Sequence, residues 1–119
     1  MDMIGDQGRL LMRLLSAATE RSKVISGNIA NQNVPGFKRA TFEFESLLMK
    51  EMSSMNPNMA SVQGEKVKDA NAAVGPNGNS VNAESERNAM RENMLRYEMY
   101  VAIAKGRNDL IYSAINGDR

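Results

Sequence analysis

A chain of 119 residues has room for one domain, and with 5% aromatic residues and a negative mean hydropathy it has thin material for a compact core. Its 15 Lys and Arg are interspersed with 14 Asp and Glu for a net charge of +1, which gives no footprint for nucleic acid and no basic cluster to hold an anionic membrane. Cysteine and histidine are absent, which excludes disulfides, thiolate or imidazole metal sites and histidine-based acid–base catalysis.

The beginning of the chain has no basic stretch ahead of an apolar core. Its only apolar run, Leu10 to Leu15, is broken by Arg13. The expectation is therefore no cleavable signal peptide and no membrane insertion. Placing residues at 100° intervals puts Ile4, Leu11, Leu14, Leu15, Ala18, Ser22, Ile25 and Ile29 on one stripe, with Arg9, Arg13, Glu20, Lys23 and Gly27 opposite. This predicts an amphipathic helix, firm from Arg9 to Asn31 because Gly5 and Gly8 weaken the turns before it. Its packing face is Leu11, Leu14, Leu15, Ala18, Ile25 and Ile29. The stripe carries no Trp or Phe, which favours a partner helix over a membrane surface.

The helix should stop within Asn28-Ile-Ala-Asn-Gln-Asn-Val-Pro-Gly-Phe-Lys38. Asn31 and Asn33 tolerate left-handed angles that close a helix, Pro35 cannot continue one, and Pro35-Gly36 favours a type II turn. The segment resembles the signature of bacterial flagellar rod and hook proteins, a pattern of Asn-hydrophobic-Ala-Asn followed by Thr-Pro-Gly-Tyr-Lys. Asn28, Ile29, Ala30, Asn31, Pro35, Gly36 and Lys38 match it. Val34 stands for Thr and keeps the β-branched, extended residue favoured before proline; Phe37 stands for Tyr and keeps the ring.

After the turn, Ala40, Phe42 and Phe44 alternate with Thr41, Glu43 and Glu45, which reads as a short half-buried strand. Met49, Met52, Met55 and Met59 then follow at helical spacing, and the Asn-, Ala- and Gly-rich run to Asn79 reads as a loosely ordered connector. The methionines recur on apolar helical faces rather than in a cluster, so no metal and no cofactor is expected.

A last helix is expected from near Asn82 to about Asn116, with Ser80 or Asn82 as its cap, Glu84 and Glu86 at the positive end of its dipole, and Gly117 as its stop. Two sides of it are apolar. Met90, Met94, Tyr97, Val101, Ala104, Ile111 and Ile115 lie on one, and Leu95, Met99, Ala102, Ile103, Gly106, Leu110 and Ala114 lie roughly opposite. A helix apolar on both sides is buried on both, and one N-terminal helix covers only one of them, so the second face should meet other subunits; the competing reading is a three-helix bundle in which Leu47 to Met59, a third of the length required, covers it.

A second set of residues extends the family resemblance. Gly78, Asn79 and Val81 ahead of the last helix, and Asn93, Leu95 and Tyr97 within it, are similar to positions typical of the proximal rod members, with Asn82 at a usually acidic position. The resemblance implies a non-enzymatic structural subunit of the periplasm-spanning flagellar rod, exported unfolded by the flagellar type III apparatus. Its implied partners are copies of itself, other rod subunits, and the MS-ring protein with its rod adaptor. A helical adaptor or export chaperone is the competing class, one with no need of the signature turn. The expected architecture is mainly α: an axial helix in 1–33, a turn, extended arm and poorly ordered connector in 34–80, and a second axial helix in 81–119, the two helices packed as a coaxial pair.

Overall fold

The computed structural model describes residues 5–117. Six elements follow in order: helix α1 (Asp6–Ala30), strand β1 (Ala40–Glu43), helix α2 (Glu45–Met52), a 3-10 turn (Met59–Ser61), strand β2 (Glu65–Lys68) and helix α3 (Ala83–Ile115). At 1.5 Å per residue, α1 and α3 are about 37 and 50 Å long. The molecule is correspondingly long and flat, 64 × 35 × 14 Å.

α1 and α3 run antiparallel. Contacts mark the register along their length: Asn28 with Glu86, Ser22 with Met90, Ala18 with Asn93 and Gln7 with Arg107. In this register Asp6 stands opposite about Asn108, so the last two turns of α3 run past the described start of α1. The helical pair expected from the sequence is present, and both ends of α3 fall where its cap residues place them. Asn82 Oδ1 accepts from Ser85 N–H at 3.0 Å, and Gly117 has φ +70°. Ser80, the other candidate cap, accepts instead from Arg39 N–H at 2.8 Å.

Several details differ from the sequence reading. α1 begins at Asp6 rather than Arg9, since the Asp6 carboxylate suits the helix start and pairs with Arg9, so Gly8 is carried inside. Ile4 lies outside the described residues. Asn31 closes α1 with φ −104°, not a left-handed angle; its N–H and Nδ2 both reach Gly27 O. The residues from Leu47 to Met59 yield only the short α2 and the start of the 3-10 turn: Ser53 and Ser54 close α2 by bonding back to its last carbonyls, and Pro57 keeps the helix from resuming ahead of it. The connector is also more structured than its composition suggested: it carries β2, antiparallel to β1 with Ala40 opposite Lys68 and Glu43 opposite Glu65.

The core sits on the flank of α1 away from α3. Ala17, Phe44 and Val62 are buried together, with Leu14, Phe42, Leu47 and Leu48 packed against them. Leu14 therefore serves this cluster. Gly64 has to be glycine here, because a Cβ would lie 2.3 Å from the Phe42 ring.

Candidate assembly interface

The signature turn is held by a second turn from the other end of the connector. Pro35-Gly36 closes with Phe37 N–H donating to Val34 O at 3.2 Å and Gly36 at φ +76°, the geometry of a type II turn. Against it lies the Asn77-Gly78 turn, with Gly78 at φ +81°. Gly36 N–H donates to Asn77 O at 2.9 Å, and Ser80 N–H donates to Phe37 O at 3.0 Å. Asn79 clasps the two together: its Nδ2 donates to Asn31 O at 2.9 Å and Val34 O at 2.7 Å, and its Oδ1 accepts from Val81 N–H. The Lys38 ammonium donates to Gly78 O. The last carbonyls of α1 are met locally by Asn31 and Gln32, and the carbonyl of the cap residue Asn31 is reached by a side chain 48 positions away, which ties the end of α1 to the approach of α3.

Beneath the turns lies a buried polar network. Asn28 Oδ1 accepts from Ala40 N–H at 2.9 Å, while its Nδ2 donates to Ala40 O at 2.8 Å and to Glu86 Oε1 at 3.1 Å. The other Glu86 oxygen accepts from Arg39 Nε at 2.6 Å, and Arg39 also pairs with Asp69. Glu86 is only 1% exposed, and this full set of partners is what makes its burial tolerable. The hydrogen bond that Arg39 donates to Glu86 raises the Arg39 pKa above its ordinary value against the opposing effect of burial, so the guanidinium stays charged. A second staple joins three helices at Glu45, which pairs with Arg21 of α1 at 2.5 Å and Arg96 of α3 at 3.5 Å.

On α1, Leu11, Ala18 and Ile25 are buried, and Leu14, Leu15 and Ile29 are half-buried. On α3 the inner row is more polar than the sequence reading placed it. Glu86 and Asn93 are buried, while Met90, Tyr100, Ala104 and Ile111 are half-buried. Asn93 Nδ2 donates to Ala18 O at 2.7 Å; its buried Oδ1 has no partner among the described residues. Met94, Tyr97, Val101 and Ile115, assigned to this side, lie exposed, because the polar row turns the apolar arc partly outward and Ile115 lies past the described start of α1. The opposite face is bare: Leu95 is 67% exposed, Ile103 47% and Leu110 74%, with Met99 and Ala114 exposed beside them. α2 does not cover it, since Leu47 and Leu48 turn to the Phe44 cluster.

The family model described as flagella basal body rod protein matches residues 10–38, the span of α1 and the signature turn. Flagellar basal body rod protein FlgB of Borreliella burgdorferi is 30% identical over 106 residues, covering 73% of this chain and 78% of that protein. The chain belongs to the FlgB family of flagellar basal body rod proteins. FlgB of Bacillus subtilis is 24% identical over 119 residues, 92% of each chain.

Within this FlgB-family chain, Asn31, Val34, Gly36 and Lys38 meet Gly78 and Asn79 in the clasp, Pro35 lies within the turn that the clasp holds, and Asn28 sits in the network beneath, so the two halves of the resemblance meet in space. Ile29 and Phe37 are half-buried beside it, and Ala30 is exposed. Sequence reasoning missed Arg39, Asp69 and the network role of Glu86. Glu86 was legible only as a helix-start carboxylate; the one hint of more was an arginine immediately after the signature. Among the described residues no group of carboxylates has the arrangement of a metal site, and no helix is long and apolar enough to cross a membrane.

Proposed function

We propose that this chain is a structural, non-enzymatic subunit of the proximal rod of the bacterial flagellar basal body, polymerising through α1 and α3 to help form the hollow drive shaft. The observation that carries the reading is the bare outer face of α3, where Leu95, Met99, Ile103 and Leu110 lie in the open along a helix whose inner side is occupied by α1. Burying such a face is worth about 25 cal/mol per Å² of apolar surface, and in a family of rod proteins the natural cover is another rod subunit. On this reading the signature turn and the Asn79 clasp set the angle at which the extended arm leaves the helical pair. The subunit passes unfolded through the flagellar type III apparatus without a cleavable signal peptide and takes its place in the periplasmic rod. There it meets copies of itself, other rod subunits, and the MS-ring protein with its rod adaptor.

Because the chain has no cysteine, a single Cys placed at Leu95, Ile103 or Leu110 reports on its own neighbour. In basal bodies isolated from cells making each variant, a thiol cross-linker should join the subunit to itself or to another rod protein at all three positions. Cross-linking only to a cytoplasmic partner, with none in basal bodies, would replace the rod subunit by an adaptor or export chaperone.

A further inference from the structure

The two edges of the small sheet are treated differently. Asp69 N–H donates to Arg39 O at 3.0 Å, and alternation along an antiparallel ladder then makes Thr41–Val67 and Glu43–Glu65 the pairs that exchange hydrogen bonds. Ala40 and Phe42 must turn their backbone groups to the other side, and α1 meets them there. Asn28 takes both groups of Ala40, and Arg21 donates to Phe42 O at 3.1 Å. The edge of β1 is closed by side chains.

By the same alternation Lys66 and Lys68 turn their N–H and C=O groups to the outer edge of β2. No strand pairs there among the described residues. The side chains of Lys66 and Lys68 make no ion pair among the described residues, and they line a cavity together with Lys23, Lys38, Val24 and Phe37. Lys66 and Lys68 thus stand beside an open strand edge, while Lys23, which pairs with Glu20, and Lys38, which donates to Gly78 O, line the same cavity from the α1 side of the sheet.

Lysines on an edge commonly guard against strand addition, and here they do so selectively. Two β2 edges paired antiparallel must place outward-facing residues opposite one another. The choices are Lys66 with Lys66, Lys68 with Lys68, or Lys66 with Lys68, and each opposes like charges. Copies of this chain are rejected at this edge. A strand with carboxylates two residues apart is accepted, because both acids then meet the lysine side of the sheet. Within this chain the two acid-x-acid segments are occupied: Glu43 lies in β1 and Glu45 holds Arg21, while Glu84 and Glu86 lie in α3 with Glu86 holding Arg39.

We propose that the outer edge of β2 is a docking site for an extended acidic segment of a different protein, of the form acid-apolar-acid, added to the sheet as a third strand. Backbone hydrogen bonds to Lys66 and Lys68 supply the register, and the ammonium groups of the same two lysines supply the selection. This surface is separate from α3, and its fate does not depend on the rod reading.

The probe is a fluorescein-labelled, end-blocked heptapeptide with Glu at its third and fifth positions and Val at the others, titrated into the full chain and followed by fluorescence anisotropy. Saturable binding is expected, weakened at least tenfold in Lys66→Glu/Lys68→Glu and several-fold in the milder Lys66→Gln/Lys68→Gln. Both variants change exposed side chains, and unchanged circular dichroism would establish that they fold. The same peptide N-methylated on the strand edge facing β2 should not bind. Three outcomes overturn the proposal: no binding to the wild-type chain, equal binding of the N-methylated peptide, which reduces the site to simple charge attraction, or equal displacement by single-stranded RNA, which makes it a general polyanion surface.

Discussion

The side-chain amide of Asn28 pairs with both backbone groups of Ala40, with Oδ1 2.9 Å from its nitrogen and Nδ2 2.8 Å from its oxygen, so a helix residue stands where a neighbouring strand would be. The same Nδ2 reaches Glu86 Oε1, so one amide ties the end of α1, the start of β1 and the first turn of α3. The first signature residue is therefore buried for a structural reason.

Replacing Asn28 with Asp keeps the shape and reverses the chemistry at one atom. A carboxylate oxygen would face Ala40 O and the Glu86 carboxylate where a donor stood. We expect a loss of about 3 kcal/mol or more, larger than an unmade neutral hydrogen bond because one of the facing groups is charged. The check is the urea unfolding midpoint of the purified chain, with Asn28→Ser as a milder comparison. A midpoint unchanged in Asn28→Asp would show that the network does not govern stability.

Arg39 and Glu86 form the ionic part of that network, and they should be strongly coupled. Glu86→Leu strands the guanidinium with Asp69 alone, and Arg39→Met leaves Glu86 buried with only Asn28 beside it. Each single change should cost about 3–5 kcal/mol, whereas the double variant should recover much of that loss, because an apolar pair of similar volume needs no compensation. Four unfolding curves give the coupling. Additive losses would mean that the two side chains do not depend on one another.

How much was legible in the sequence follows from how local each determinant is. The Pro35-Gly36 turn, the Asn82 cap and the Gly117 stop could be read because each depends on the conformational preferences of neighbouring residues. β2 could not be read: Glu65-Lys-Val-Lys68 has a single apolar residue, and it is a strand because β1, more than 20 positions earlier, offers it a ladder. The inner row of α3 was displaced for a similar reason. Glu86 and Asn93 look like solvent-facing residues until Arg39, Asn28 and Ala18 O are found opposite them.

The two positive-φ glycines of the clasp should respond differently to substitution. At Gly36 an added Cβ meets nothing within 4 Å, so Gly36→Ala carries only the left-handed penalty of about 1–2 kcal/mol, and Gly36→Val more because of its β-branch. At Gly78 a Cβ would lie 3.3 Å from Gly36 Cα, so Gly78→Ala adds crowding between the two turns to the same penalty. Thermal unfolding should rank the variants with Gly78→Ala below Gly36→Ala. Equal midpoints would mean that the turns do not bear on one another.

Leu110 and Ile111 are adjacent in sequence and differ in setting: Leu110 is bare, and Ile111, in line with Ala104 on the inner row of α3, is half-buried. Leu110→Asp should therefore leave the stability of the isolated chain within about 0.5 kcal/mol, while Ile111→Asp lowers it. The midpoints of the two purified variants test this, and a loss of stability in Leu110→Asp would place that face inside the fold of the single chain.

The most direct test of rod assembly through the outer face of α3 is the basal-body content of Leu110→Asp, measured beside the amount of the variant that leaves the cytoplasm. An unfolded export substrate does not need its native packing, so secretion should match wild type while the subunit is missing from isolated basal bodies and motility is lost. Normal incorporation and full motility with a carboxylate at position 110 would contradict the account, since that face would then be open to solvent in the assembled rod.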